Sequence, residues 1–316
     1  MHIAIIDCGT NTFHLLIVNI ITKNHFKKLY KTKSVVKLGE AGITKQFISE
    51  APFDRGIIAL KRFAEKMAEY KVEKTYAYAT AAVRKAKNGN DFIAETKKQT
   101  GITLQLITGN REAELIYFGV REAVQLDKSK FLVMDIGGGS VEFIICNQQK
   151  IFWKQSFEIG AALLLEKIKP SDPITSNQIK ELYTHLQKIL SPLFIACSKF
   201  KPVTLIGSSG SFDTFAEMIL NQKGKPSLGK KISYEFNLED YINIHQQLIK
   251  STTEQRMKMN GLIKMRVDMI VLASLLLTFV LDKTKIKQMT LSAYALKEGI
   301  LAEIMNNELS FHHLIT

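Results

Sequence analysis

Apolar residues fall into two kinds of run along this chain. Short runs rich in Ile, Val, Leu and Phe at 2–7, 13–20 and 26–37, and again at 131–135, 141–147 and 150–156, predict two sets of three antiparallel strands. Elsewhere the apolar positions take helical spacing. Ile57, Leu60, Phe63 and Met67 mark a helix over 51–69, and similar patterns predict helices at 90–100, 111–124, 160–168 and 176–199. Single strands are expected at 74–79, 103–107, 202–206 and 288–291. Residues 80–84 read as a turn, Gly109 and Asn110 as a break before a helix, and the Gly/Lys/Pro-rich stretch 222–232 as a surface loop. Helices dominate 238–282. The apolar run 269–281 falls short of the ~20 residues that span a bilayer, so it reads as a buried helix. A terminal helix starts near Tyr294.

The two strand groups open on the same phrase. Ile5-Ile6-Asp7-Cys8-Gly9-Thr10-Asn11-Thr12 precedes one apolar strand, and Val133-Met134-Asp135-Ile136-Gly137-Gly138-Gly139-Ser140 precedes another. Such a duplication predicts two similar α/β lobes facing each other across a cleft. The domains are expected at 1–122 and 123–292, with the C-terminal helix within 293–316 joining the first. A third glycine-rich turn, Gly207-Ser208-Ser209-Gly210-Ser211, follows the strand at 202–206. Glycine lets a backbone approach an anion closely and aim several N–H groups at it, and Thr10, Asn11, Thr12 and Ser140 add side-chain donors. The competing reading is three purely structural turns.

Asp7 and Asp135 end buried strands, where a carboxylate needs a cation, a donor or water. Glu142 follows Asp135 by one turn, so strand pairing can bring both carboxylates to one mouth. Two carboxylates with substrate phosphates are a common Mg²⁺ arrangement, and turn hydrogen bonding is the alternative use of an Asp. Glu112 falls in the first turn of a helix, which the helix dipole alone would explain. Arg84 can bind phosphate in a fork geometry or be an exposed structural residue.

Charge changes the picture more than composition does. A formal net charge of +13 favours polyanionic partners. The denser stretch Lys23, Lys27, Lys28, Lys31, Lys33 and Lys37 reads as the solvated face of a hairpin. No aromatic-rich basic strand supports nucleic-acid binding, and no segment supports a membrane span. Cys8, Cys146 and Cys197 have no metal-ligand spacing and sit in apolar segments, so buried reduced thiols are expected. The chain opens directly into a strand with no charged leader, which leads to a cytoplasmic expectation.

Taken together, the phrases Asp7-x-Gly9-Thr10-Asn11-Thr12-Phe13-His14, Ala79-Thr80-Ala81-Ala82-x-Arg84, Ile107-Thr108-Gly109-x-x-Glu112-Ala113-x-Leu115-Ile116-Tyr117 and Asp135-Ile136-Gly137-Gly138-Gly139-Ser140-x-Glu142 resemble the exopolyphosphatase/guanosine pentaphosphate phosphohydrolase (Ppx/GppA) family, in its order. Gly207 to Ser211, Arg266-Val267-Asp268 and Ser292-x-x-x-Leu296-Lys297-Glu298-Gly299 resemble its later marks. The resemblance implies a duplicated actin-like ATPase (ribonuclease H-like) fold and Mg²⁺-dependent hydrolysis of a terminal phosphoryl group. The substrate it implies is polyphosphate or guanosine pentaphosphate. Carried over by position, Glu112 matches the catalytic base, with Arg84 beside it in the catalytic set. Asp135 and Glu142 match the acidic pair at the metal, to which Asp7 is added. Gly9, Thr10, Asn11, Thr12, Gly137, Gly138, Gly139, Ser140, Gly207, Ser208, Ser209 and Gly210 match phosphate contacts.

Several residues depart from the family pattern: Arg111, Val141, Leu163, Ala295 and Lys297. The chain stops near the end of the second lobe, without the further helical region of longer members, so a grip on only a few phosphates is expected. A homodimer is left open, as are a non-catalytic alarmone or phosphate-chain sensor and an ATP-dependent kinase of the same fold.

Overall fold

The computed structural model describes the backbone of residues 1–22 and 25–312 and the side chains of these residues up to 306. Lys23 and positions 313–316 of the expected terminal helix lie outside the described residues. The chain forms two compact units, one of Met1–Gly119 with the chain from Leu296 on, the other of Val120–Ala295.

The first unit starts with β1 (His2–Cys8), β2 (Thr12–Thr22), β3 (His25–Val35), α1 (Glu50–Glu69), β4 (Lys74–Ala79), α2 (Ala81–Lys85), α3 (Gly89–Thr100), β5 (Gln105–Leu106) and α4 (Gly109–Ala123). Its sheet runs β3-β2-β1-β4-β5. The β1–β2 and β2–β3 pairs are antiparallel, whereas β4 is parallel to β1 and β5 to β4. Alternation along the strands sends Ala4, Ile6, Phe13, Leu15 and Ile17 to one face, where they pack with Leu60 and Phe63 of α1 and Phe92 of α3. Gly56 makes room for that packing, since a Cβ there would lie 2.8 Å from the Phe92 ring.

The second unit contains β6 (Phe131–Ile136), β7 (Val141–Cys146), β8 (Ile151–Phe157), α5 (Ala161–Ile168), α6 (Ser176–Ile189), α7 (Ser191–Phe200), β9 (Thr204–Ser208), α8 (Gly210–Gln222), β10 (Ser233–Phe236), α9 (Leu238–Lys250), α10 (Thr253–Met257), α11 (Ile270–Thr284) and β11 (Gln288–Ser292). Its sheet order, β8-β7-β6-β9-β11-β10, repeats the strand order of the first unit and adds an antiparallel β10. Every residue of α11 from Ile270 to Leu281 is buried, as a helix apolar on all sides requires. Among the described residues no helix is long and apolar enough to cross a membrane. The chain ends in α12 (Leu296–His312), whose Gly299 approaches α4 so closely that a Cβ would sit 1.6 Å from the Leu115 carbonyl oxygen.

Four elements differ from the sequence pattern. Residues 81–85 form a short helix in place of a turn, because Ala81, Ala82 and Val83 are all buried. The helix expected at 176–199 breaks at Leu190, where Pro192 restarts it within the first turn of α7. Gly109 and Asn110 belong to α4 itself, since Thr108 already accepts from the backbone of Arg111 and Glu112. The strand β10 was hidden by its mixed sequence Ser233-Tyr234-Glu235-Phe236, an edge strand needing only one apolar face.

Two measurements follow from this packing. Gly299→Ala forces backbone apart and should lower the unfolding free energy by about 1–3 kcal/mol or more, read by denaturant titration. In the second unit the buried His245 bonds Ser274 Oγ at 3.2 Å, and burial pushes its imidazole down to about 4 against the pull of Asp282. The folded state therefore binds that proton less readily, so stability present above the ordinary pKa of 6.5 is lost as pH falls toward 4. The loss over this window should be smaller in His245→Gln than in the wild type.

Candidate functional site

The two glycine turns are built alike. In the first, Gly9 N–H donates to Thr12 O at 3.2 Å; in the second, Gly137 N–H donates to Ser140 O at 3.1 Å. What lies behind each turn is also equivalent. In the first unit, the N–H groups of Val36 and Lys37 take the Asn11 carbonyl at 3.0 and 2.9 Å, and Gly39 N–H takes that of Thr10 at 3.2 Å. In the second, the start of α5 does this work. Ala161 N–H bonds Gly137 O, Ala162 and Leu163 bond Gly138 O, and Gly160 bonds Gly139 O, at 2.9–3.2 Å.

A trans peptide holds its C=O and N–H on opposite sides. With the carbonyls of Thr10 and Asn11 tied behind the first turn, the N–H groups of Asn11 and Thr12 face the other way. In the second turn those of Gly138, Gly139 and Ser140 do the same, making a concave donor set suited to phosphate oxygens. This arrangement also satisfies the first N–H groups of α5, which would otherwise need a cap. Gly160 has to be glycine, because a Cβ there would lie 2.4–2.5 Å from the Gly138 and Gly139 backbone. Neither Gly160 nor the segment 36–39 is among the candidate site residues read from the sequence.

The acidic residues are placed by strand register. Asp135 on β6 lies opposite Glu142 on β7, so both carboxylates project from one face. Both are buried, at 5% and 1% exposure, and each is met by hydroxyl donors. Ser208 Oγ donates to Asp135 at 2.6 Å, Ser209 Oγ donates at 2.7 and 2.8 Å to its two oxygens, and Ser156 Oγ donates to Glu142 at 2.6 Å. The serines expected to face phosphate therefore orient an acid. Ser209 does so with φ at 69°, a left-handed conformation that favours glycine. Gly207 lies inside β9 against the Phe212 ring. Gly210 opens α8 with its Cα facing the Arg266 guanidinium, only 1.7 Å from where a Cβ would sit. Burial lowers the pKa of Arg266 against the nearby Asp213, and its Nε has no hydrogen-bond partner.

Asp7 occupies the matching place in the first unit, opposite His14. Its neighbour Cys8 is a buried filler, its thiol pushed up by burial and then by Asp7. Burial likewise raises Cys146 and Cys197, each to about 12, so these thiols stay protonated.

Arg84 and Glu112 come together. Arg84 Nη1 donates to the Ile107 carbonyl at 2.7 Å and to Glu112 Oε2 at 3.1 Å. Glu112 sits near the α4 N-terminus at 8% exposure, so the helix end and the guanidinium together stabilise its charge. For a metal, the paired Asp135 and Glu142 supply hard oxygen donors of the kind Mg²⁺ takes, one or two carboxylates with the other places left to water and phosphate. Among the described residues no group of three or more His, Cys, Asp or Glu could hold a metal.

Residues 17–308 match the model of the Ppx/GppA phosphatase family. The chain belongs to that family. An exopolyphosphatase structure from Cytophaga hutchinsonii is 41% identical to it, covers 97% of this chain and 98% of its own, and superimposes with a TM-score of 0.94. Exopolyphosphatase 1 of Mycobacterium tuberculosis is 25% identical over 310 residues, 98% of this chain and 89% of that protein. The guanosine-5'-triphosphate,3'-diphosphate pyrophosphatase of Pseudoalteromonas atlantica is 26% identical over 96% of this chain and 58% of its own length. The fold is the duplicated actin-like fold of Ppx/GppA proteins, and the chain is a hydrolase of the phosphoric anhydride class.

The support behind the second turn can be tested directly. Gly160→Ala should displace Gly138 and Gly139 and cut phosphate release by roughly 10²-fold, the cost of misplacing a binding group by about 1 Å. Steady-state kinetics beside a thermal melt would check that the loss exceeds any loss of folding.

Proposed function

We propose that this chain removes the terminal phosphoryl group from inorganic polyphosphate or from guanosine pentaphosphate, using a water activated by Glu112. The observation that carries the reading is the twice-built turn whose carbonyls are tied behind it, in a chain of this family. The exopolyphosphatase and pyrophosphatase names of its relatives support the two substrates.

Phosphoryl transfer to water asks for positioning and charge neutralisation more than for covalent chemistry. In each unit the N–H groups of its turn, at 9–12 and at 137–140, are suited to phosphate oxygens, and in the second unit the Arg266 guanidinium and the first N–H groups of α8 add donors. Glu112 orients the attacking water and takes its proton as the new P–O bond forms. The bond to the leaving phosphate breaks in the same displacement, giving orthophosphate and a chain shorter by one unit. Arg84 holds the Glu112 carboxylate in place and lends positive charge near it. Asp135 and Glu142 would hold Mg²⁺, which, when bound, supplies charge neutralisation at phosphoryl oxygens. Ser208, Ser209 and Ser156 keep those two carboxylates oriented. A cytoplasmic setting belongs to the same reading and agrees with three free, buried cysteines.

Phosphate release from polyphosphate and guanosine pentaphosphate, side by side, is the primary test. Glu112→Gln should lose roughly 10²–10⁴-fold in kcat, the share general acid–base catalysis ordinarily carries. Near wild-type turnover in that variant would remove Glu112 from the mechanism. Asp135→Ala should abolish turnover, with excess Mg²⁺ restoring only part of it. Full activity of the wild type in EDTA would contradict the metal role, and binding with no release under any condition would leave a sensor.

A further inference from the structure

The strand β3 carries a feature that neither the family resemblance nor the turn geometry uses. A bulge in its pairing with β2 places Tyr30 opposite Ile17 and Lys28 opposite Val18, leaving Leu29 between them. Leu29 and Tyr30 both pack on the α1 side of the sheet, and Tyr30 meets Tyr70 with ring centroids 5.5 Å apart. The bulge thereby puts Lys28 on the same face as Lys31 and Lys33, because cross-strand partners share a face. Their partners on β2 are Val18, Leu16 and His14 in order, and the next partners on β1 are Ile3, Ile5 and Asp7.

Lys33 thus stands in one row with His14 and Asp7, two strand spacings or about 10 Å from the acid that opens the first phosphate turn. From Lys33 the three lysines run along the sheet edge for about 15 Å. All three residues are exposed. At the inner side of the row α12 brings a Lys297–Glu298 pair, neutral in sum: Lys31 Nζ lies 3.6 Å from Glu298 and the buried Lys297 lies 3.1 Å from the same carboxylate, which leaves Lys28 and Lys33 outside that pairing. Burial lowers the Lys31 pKa first, and Lys297 and Lys28 lower it further against the opposing pull of Glu298. Like charges crowded on one face cost stability that an anion would return. Lysines on an edge strand also deter edge-to-edge pairing, but that purpose does not require them on one face or in line with Asp7.

We propose that the face of β3 bearing Lys28, Lys31 and Lys33 binds the non-terminal phosphates of a polyphosphate chain. This rests on the reading of the chain as a polyphosphate hydrolase. A flexible polyanion with a charge at every unit matches a row of mobile ammonium groups, which need no fixed hydrogen-bond geometry. The row ends at the β2–β3 hairpin, so contact grows with chain length only until the row is covered.

The test compares KM for long-chain polyphosphate with KM for tripolyphosphate, which is too short to reach from the turn along the row. In the triple variant Lys28→Gln, Lys31→Gln, Lys33→Gln, the preference for the long chain should collapse about tenfold, and its salt dependence should weaken. A control variant, Lys61→Gln, Lys97→Gln, Lys98→Gln, removes the same charge from exposed helix positions and should keep the preference. Thermal melts establish that both variants fold. Preference retained in the first variant, or lost equally in both, overturns the proposal. A wild type that turns over polyphosphate without length preference overturns it and leaves the proposed activity standing. A wild type inactive on polyphosphate but active on guanosine pentaphosphate overturns it and leaves the proposed hydrolase activity standing, and one inactive on both substrates overturns both. A single-stranded RNA that inhibits more strongly than long polyphosphate, through these same lysines, would assign the row to nucleic acid instead.

Discussion

Each unit contains a tight turn whose carbonyl oxygens are bound from behind, and the rest of the candidate site depends on that constraint. A peptide group carries its acceptor and its donor on opposite sides, so fixing one fixes the other. The first unit satisfies the carbonyls of Thr10 and Asn11 with the irregular segment at 36–39. The second satisfies those of Gly137, Gly138 and Gly139 with the first N–H groups of α5. Different local structures thus arrive at one result: a turn whose carbonyl oxygens are tied on one side, so that the N–H groups of the same peptides point to the other. The second solution answers two demands at once, because a helix start and a glycine turn each leave unpaired groups that the other can meet.

The acidic groups follow a similar economy. A buried carboxylate requires donors, and here the donors come from the third turn and from β8. Ser208 and Ser209 spend their hydroxyls on Asp135, and Ser156 spends its own on Glu142. Ser209 holds a backbone conformation that glycine would adopt more easily, and its bond to Asp135 is the compensating contact in view. Glu112 is balanced by the α4 N-terminus and by Arg84, which the short helix α2 presents from the end of β4. Each acid therefore sits in a preorganised shell before any ligand arrives, which is the condition for electrostatic stabilisation of a developing charge.

Much of this was legible in the chain. Alternating and continuous apolar runs placed the six strands of the two duplicated groups within a few residues, because period-two patterning and buried strand cores leave a direct trace. The opposition of Asp135 and Glu142 was readable as well, since a short turn between two strands fixes their register. The short helix α2, the break at Leu190 and the strand β10 were not. Each depends on burial by residues distant in sequence, which overrides weak local preference.

The sequence by itself determined the duplicated strand–turn–strand plan, the position of the acids at strand ends and the basic excess. These are encoded locally, in spacing and composition. Only the tertiary structure decided what those residues touch. That Gly160 must be glycine follows from the approach of α5 to the turn, and nothing in its own neighbourhood of sequence required it. The serines of the third turn look like phosphate ligands in one dimension, yet parallel pairing of β6 with β9 sets Ser208 beside Asp135. Lys28, Lys31 and Lys33 read as part of the solvated face of a hairpin, and it is the bulge that brings Lys28 onto the face that Lys31 and Lys33 share by alternation. In each case the deciding quantity is a distance between residues far apart in the chain, which folding sets and local pattern does not carry.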